Sequence, residues 1–282
     1  MDITNLSECS RVVVTGDDEG IRLDKFLIML LPDTSLRERR RVIDNGLVSV
    51  NRRSAKASLK MFVGAEVVLF EKKNVPTTAD ILPSLKIIKE TGEFAAVYKP
   101  AGIHSASIAS SMEVSAQDCL AELFPERQPI LVNRLDNSTS GILLVAFGHD
   151  ASRRFKGFEE AGQVEKEYLA RVVGSPRPEF VVKNELDTDS RAVTKVLDDD
   201  AADRLRWSYA DRVAELDAGV SLVKVRISKG ARHQIRAHLA SAGFPIVGDE
   251  VYGEASVDAK MYLHNQRISF EGFEAECEPE WD

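Results

Sequence analysis

The chain has 282 residues, is 44% hydrophobic and carries a formal net charge of −8, a composition that suits a soluble globular protein of one large domain or two unequal ones. Its longest apolar runs, such as Phe26 to Leu31, are far too short to span a bilayer, and no basic segment leads into a long apolar stretch at the N-terminus, so no signal peptide is expected. Cys9, Cys119 and Cys277 are scattered without C-x-x-C spacing, which argues against a metal knuckle or a disulfide framework and for a reducing cytoplasm.

Residues 1–20 are read as an N-terminal extension, and residues 21–73 as one compact unit. Leu23, Phe26, Leu27, Leu30 and Leu31 follow the spacing of an amphipathic helix, which Pro32 ends. A second helix is predicted from Ser35, where Ser35-Leu36-Arg37-Glu38 has the form of a capping box, to about Asn45, with Gly46 as its left-handed terminator. Leu47 to Val50 and Glu66 to Phe70 read as strands. Across 21–73 there are twelve Lys/Arg against six Asp/Glu, a local +6, so the remainder carries −14. A basic module on an acidic remainder admits an RNA partner despite the negative total, because RNA responds to the nearby field. A solvated charged face is the alternative.

The segments R-L-D-K-F-L at 22–27, the basic second helix and I-D-N-G-L-V-S-V-N-R-R at 43–53 resemble the small αL RNA-binding module first named for a ribosomal small-subunit protein. The resemblance implies that the second helix and the turn after it face RNA phosphates. In this chain those positions are Arg37, Arg40, Arg41, Arg52 and Arg53. The first three share one helical face by i, i+3 and i+4 spacing.

Residues 74–84, with two prolines and two threonines, suit a linker. A larger domain over 85–270 opens with β-like runs at Lys86 to Ile88 and Phe94 to Tyr98. Helices are expected at 114–124, 150–161 and from His233 to Ala242, ending at Gly243. Further strands are expected at Ile142 to Phe147, Tyr168 to Val173, Ser190 to Leu197 and Ser221 to Ile227. The acid-rich stretches Glu185 to Asp189 and Asp198 to Asp203 read as loops, and 271–282, with six acids and no base, as an acidic tail. Strands and helices mix without strict βαβ alternation, so the fold class is α+β.

The central feature is Asn133-Arg134-Leu135-Asp136-Asn137-Ser138-Thr139-Ser140-Gly141, running into the apolar strand Ile142 to Ala146. By itself it is a polar turn with one carboxylate, and a lone Asp there is usually an Asx-turn former or cap. However, R-L-D-x-x-T-S-G before an apolar strand is similar to the signature of RluA-type pseudouridine synthases. Four further segments resemble that family's motifs in its order: Lys99-Pro100-Ala101-Gly102; Lys166-Glu167-Tyr168; Gly230-Ala231-Arg232-His233-Gln234-Ile235-Arg236, followed by Gly248-Asp249 and Tyr252-Gly253; and Tyr262-Leu263-His264. The chain departs from the family at Asn133, where a His is usual, and at Ala231, where an Arg is usual.

The resemblance implies a mixed, largely antiparallel sheet with flanking helices, acting on uridine in structured RNA, ribosomal RNA ahead of transfer RNA, with no cofactor, no metal and no membrane partner. Isomerisation breaks the uracil N1–ribose C1′ bond, turns the base over and joins C5 to C1′. Asp136 is the implied catalytic carboxylate, acting either at C1′ or by taking a proton from the sugar, and Arg236 its charge partner. Tyr168 is implied to pack on the base and to accept the C5 proton. Arg134 either binds phosphate or fills the space left by a flipped nucleotide; Lys99, His233 and Gln234 are further expected RNA contacts. His233 and His238 are five apart, off one helical face, so a metal site with His264 and Asp249 is not expected. An RNA-binding pseudoenzyme or ribosome assembly factor on the same fold is the competing reading, supported only by Asn133 and Ala231; a small-molecule hydrolase with an Asp nucleophile leaves the basic module unexplained. A monomer is the default.

Overall fold

The computed structural model describes residues 6–72, 76–107, 113–190, 192–253 and 260–281. The chain divides into two compact units, Met1–Val75 and Pro76–Asp282.

The first unit contains β1 (Leu6–Val13), α1 (Leu23–Phe26), α2 (Leu36–Asp44), β2 (Val48–Val50), β3 (Arg53–Ser54) and β4 (Glu66–Lys72). Its strands form an antiparallel sheet in the order β1-β4-β2-β3. Of residues 1–20, read from sequence as an extension, the described part from Leu6 on is therefore not separate from the module. β1 pairs with β4 and covers an edge that would otherwise be open, while Val14 joins Leu23, Phe26, Leu27, Ile43 and Val67 in the core.

The first predicted helix is α1 followed by a 3₁₀ turn, Leu27–Met29, and its apolar face is buried as expected. α2 starts at Ser35 with both halves of the capping box formed, Glu38 N–H to Ser35 Oγ at 3.3 Å and Ser35 N–H to Glu38 Oε2 at 2.7 Å. It stops before Gly46, which sits at φ +73°. Asn51 and Arg52 both adopt positive φ, 49° and 61°, so β2 and β3 are joined by a two-residue turn of the type that matches strand twist. Arg39, part of the basic count, is not on the surface: it is buried and donates to Asp24 O at 3.0 Å and Thr34 O at 2.6 Å.

The second unit contains α3 (Thr78–Ile81), β5 (Lys86–Glu90), β6 (Phe94–Lys99), α4 (Ala116–Leu123), β7 (Pro129–Leu131), β8 (Ser140–Phe147), α5 (His149–Glu160), β9 (Glu165–Val173), β10 (Glu179–Val182), β11 (Asn184–Asp187), β12 (Lys195–Asp200), β13 (Ser208–Glu215), β14 (Val220–Ile227), α6 (Gln234–Ser241), β15 (Leu263–Phe270) and β16 (Phe273–Glu276). A ten-stranded sheet runs β10-β13-β14-β9-β15-β8-β6-β5, with β7 also on β8 and β16 also on β15. Its described pairings are antiparallel except β15 with β8.

The period-2 alternation of the central strands divides two cores. Ala95, Val97, Leu143 and Val145 face α3, α4 and α6 through Ile81, Leu120, Ile235 and Leu239. Phe94, Ala96, Ile142, Leu144 and Ala146 face α5 and β16 through Ala151, Phe155, Phe273 and Ala275.

Three sequence expectations change here. Of the linker 74–84, the described part from Pro76 on belongs to the second unit: Thr77 and Asp80 form a capping box, and Ile81 is buried in the core. The acid-rich stretches are not plain loops, because β11 and β12 pair as a hairpin that carries its carboxylates outward. Nor is 271–282 a free tail. β16 pairs with β15, Trp281 packs edge-on against Tyr262 and His264, and Glu280 bonds Lys86 Nζ at 2.9 Å. Alternating Phe273 and Ala275 put an apolar face under the acids. Among the described residues, no helix is long and apolar enough to cross a membrane.

Candidate active site

The polar loop 133–139 is held in shape by its neighbours on both sides. Lys99, at the end of β6, is fully buried. Its Nζ donates to Pro100 O and Ile103 O at 2.8 Å each and to Asn137 O at 3.3 Å. Burial pushes the Lys99 ammonium down to about 7, while three carbonyls set around three N–H donors favour the charged form. Lys99 therefore shapes the loop rather than meeting RNA, which corrects its assignment as an RNA contact. Gly102 N–H donates to Asn137 O at 2.8 Å, and the buried Ser105 hydroxyl bridges Leu135 N–H and C=O at 2.9 and 2.7 Å. Asn133 is committed to β8: its Oδ1 accepts from Leu144 N–H at 2.7 Å and its Nδ2 donates to Ile142 O at 3.3 Å. The departure at this position thus fastens the loop to the sheet.

Asp136 projects from this loop into a cleft of about 1380 Å³ whose lining also includes Arg134, Lys166, Tyr168, His233 and Arg236. Arg236, on α6, donates from Nη1 to Asp136 Oδ2 at 3.0 Å. Its Nε and Nη2 bond Asp249 Oδ2 and Oδ1 at 2.7 and 2.8 Å. Asp249 is fully buried; burial pushes its carboxyl up, but the Arg236 guanidinium and the N–H groups of Val251 and Tyr252 hold it below its ordinary value. Three separate segments, 133–139, α6 and the turn at 249–252, thus converge on one chain of charge.

Tyr168 enters the cleft from β9 with only 7% of its surface exposed. Burial, and then the negative charge of Asp136, push its phenol up. Among the described residues its hydroxyl has no hydrogen-bond partner. His233 precedes α6 in the left-handed conformation, φ 53°; its Nε2 lies 3.9 Å from Asp136 Oδ1 and its Nδ1 lies 3.0 Å from Tyr252 Oη.

Gln234, expected to contact RNA, is instead buried. Its Oε1 accepts from Ala231 N–H at 2.9 Å, and its Nε2 donates to Arg206 O at 2.7 Å. It pins the loop before α6 at the position where Ala231 departs from the family pattern. Arg134 is exposed on the cleft lining, which Arg206 and Arg232 share. The cleft is thus lined by several cations within a net-acidic chain. In the first unit, Arg37, Arg40, Arg41, Arg52 and Arg53 are all exposed. Arg40 also donates to the buried Asp24 at 2.7 Å, and with Arg22 it holds that carboxyl down to about 2 against the effect of burial.

His238 and His264, weighed as metal ligands, are structural. His238 places Nδ1 2.9 Å from Ser208 Oγ and Nε2 3.0 Å from Asn184 O; His264 places Nδ1 2.9 Å from Ser140 Oγ and Nε2 2.8 Å from Cys277 O. Among the described residues, no group of three or more His, Cys, Asp or Glu side chains is arranged to hold a metal. Sequence reasoning missed Ser105, Arg206 and Thr194 as parts of the site. It quoted Asp249 and Tyr252 as motif members without a role, although their place after Gly248 marked them.

The sequence model of the family described as RNA pseudouridylate synthase matches residues 93–241, which carry the loop, Tyr168 and Arg236. The chain belongs to this family and is an isomerase of uridine in RNA. It is 30% identical to the Ribosomal large subunit pseudouridine synthase C of Rickettsia bellii, over 91% of this chain and 92% of that one. It is likewise 30% identical to the protein of the same name from Haemophilus ducreyi, over 92% and 86% of the two chains. In fold it resembles the human RNA Pseudouridylate Synthase Domain Containing 4, with a TM-score of 0.58 and 19% identity, over 72% of this chain and 91% of that one.

Proposed function

We propose that the chain converts a uridine of structured ribosomal RNA to pseudouridine, with Asp136 as the catalytic carboxylate. The observation that carries this is the meeting of Asp136, Arg236 and Tyr168 in one cleft. The choice of ribosomal RNA rests on the relatives, which are named for the large ribosomal subunit.

Arg236 bonds Asp136 at Oδ2, and the carboxylate's remaining lone pairs are left to face the sugar. As the N1–C1′ bond breaks, positive character at C1′ is met by this carboxylate, whether it bonds C1′ or takes a sugar proton. The freed base turns over on the Tyr168 ring, and C5 joins C1′ as the Asp136–C1′ bond breaks or the sugar proton is returned. The C5 proton then passes to the phenolate form of Tyr168, whose oxygen has no other described partner, and N1 takes up a proton from solvent. Arg134, exposed on the cleft lining, fills the stack where the flipped nucleotide lay. The exposed arginines of the first unit, Arg37, Arg40, Arg41, Arg52 and Arg53, track phosphates of the same RNA in a cytoplasmic setting. Because the Asn133 side chain is taken up in loop-holding bonds, and Arg232 beside Ala231 keeps a guanidinium on the cleft lining, neither departure favours the pseudoenzyme reading.

The test is Asp136→Asn on refolded ribosomal RNA lacking the modification, with pseudouridine mapped chemically. The variant is expected to bind RNA within about threefold of wild type and to form no product. Substantial turnover by the variant removes Asp136 from its assigned role.

A further inference from the structure

Tyr252 lies between two groups that together determine how His233 carries its proton. The Thr194 backbone N–H donates to Tyr252 Oη at 2.7 Å. With that position filled by a donor, the phenol proton is free for the next neighbour, His233 Nδ1, at 3.0 Å. If Nδ1 carried the proton instead, Tyr252 Oη would accept twice and its own O–H would point at no described acceptor, a costly arrangement for a half-buried hydroxyl. Nδ1 is therefore the acceptor, and the ring proton resides on Nε2, which faces Asp136 Oδ1 at 3.9 Å.

We propose that Tyr252 locks His233 in its neutral Nε2–H tautomer, making His233 a positioning residue that holds Asp136 Oδ1 while Arg236 holds Oδ2. Resting on the reading of Asp136 as the catalytic carboxylate, this adds a second anchor. A carboxylate held at one oxygen can still swing about its Cβ–Cγ bond. Gripped at both, it keeps one plane toward the sugar. The 3.9 Å gap needs to close by about 1 Å to become a hydrogen bond, a tightening common when substrate fills a site. Burial pushes the His233 imidazole below its ordinary value against the pull of Asp136, in keeping with a neutral ring.

The lock has a clear origin in the fold. Asp249 accepts from Tyr252 N–H at 3.2 Å, and the Arg236 guanidinium lies over the Tyr252 ring, 5.3 Å from its centroid. The same aspartate that orients Arg236 therefore orients Tyr252. Thr194 stands just before β12, and its hydroxyl donates to Arg232 O at 2.9 Å; the Arg232 guanidinium in turn bonds Thr188 O. The β11–β12 hairpin, seated on the start of α6, thereby supplies the N–H that sets the tautomer.

The test uses the full-length protein labelled with ¹⁵N-histidine, with His233→Gln assigning the His233 signal among the five histidines. At pH 7.5 the wild type is expected to show the Nε2–H tautomer, and Tyr252→Phe a mixture. In turnover, Tyr252→Phe and His233→Ala are each expected to lower kcat about tenfold, the scale of losing a supporting hydrogen bond, with KM for RNA within about twofold. His233→Gln, whose amide N–H reaches the place of Nε2, is expected to recover most of the loss, and adding Tyr252→Phe to it to cost nothing more. An Nδ1–H, mixed or imidazolium form in the wild type, or equal loss from Tyr252→Phe in the His and Gln backgrounds, overturns the proposal. The tautomer is read without turnover, so it stands or falls separately from the Asp136→Asn result.

Discussion

Asp249 takes two of the three guanidinium nitrogens of Arg236, at 2.7 and 2.8 Å, and so aims the third at Asp136. Asp249→Ala leaves a buried guanidinium with one carboxylate fewer. The expected result is a stability loss of about 3–5 kcal/mol and a fall in kcat larger than any rise in KM. Urea unfolding alongside steady-state kinetics checks it. A variant of nearly wild-type stability and kcat shows that Arg236 does not need this support.

Tyr168 is held neutral by burial and by Asp136. Only a phenolate accepts the C5 proton, and below its raised pKa the phenolate fraction grows tenfold per pH unit. Where proton removal limits single-turnover conversion, the rate is therefore expected to climb from pH 7 to 9. Tyr168→Phe keeps the ring, so it should bind RNA within about threefold while losing most turnover and the pH slope. Near-normal turnover by the Phe variant excludes the proton-acceptor role and leaves packing alone.

Gly141 has φ +117°, and a Cβ there would meet Asn265 O at 2.3 Å. This is where parallel β15 meets β8, through Asn265↔Gly141. Gly141→Ala combines an unfavourable backbone conformation with overpacking against main chain, together about 3 kcal/mol or more. A fall of less than about 1 kcal/mol in denaturant unfolding shows that the strand contact yields easily.

His238 and His264 are both pushed below the ordinary value of 6.5, burial being the chief cause. Above about pH 6.5 neither the folded nor the unfolded chain protonates them, and their contribution to stability is complete. As pH falls through 6.5 the unfolded chain takes up protons that the folded chain refuses, so stability declines until the lowered folded pKa is reached. Urea midpoints should therefore fall between pH 7.5 and 5.5, and His264→Gln should flatten the fall. An unchanged slope in that variant rules out a contribution from His264.

The two units differ in how much of each was legible. In the first, capping at Ser35, termination at Gly46 and the apolar spacing of Leu23, Phe26 and Leu27 are local signals, and each formed where expected. β1 was not legible, because its reason for existing is the edge of β4, sixty residues away. In the second, β7, β10, β11, β13, β15 and β16 escaped notice. In β11, β13 and β16 outward charges hide a short alternation that only pairing makes into strand.

The candidate site followed the same division. Asp136, Tyr168 and Arg236 were identified by motif and order, and they do share a cleft. Lys99 and Gln234 were placed wrongly for a physical reason: a cation or an amide in a motif looks like a ligand-binding group until its hydrogen bonds are counted, and theirs go to buried backbone.

Sequence alone thus determined the family, the catalytic carboxylate to test and the basic first module, because these reside in residue identity and local spacing. Tertiary structure alone decided that Arg236 is aimed by Asp249, that Asn133 fastens to β8 and that His233 turns its Nε2 toward Asp136. Each depends on a hydrogen-bond partner delivered by a distant strand or turn, and hydrogen bonds are decided by distance and direction in space, which spacing along the chain does not record.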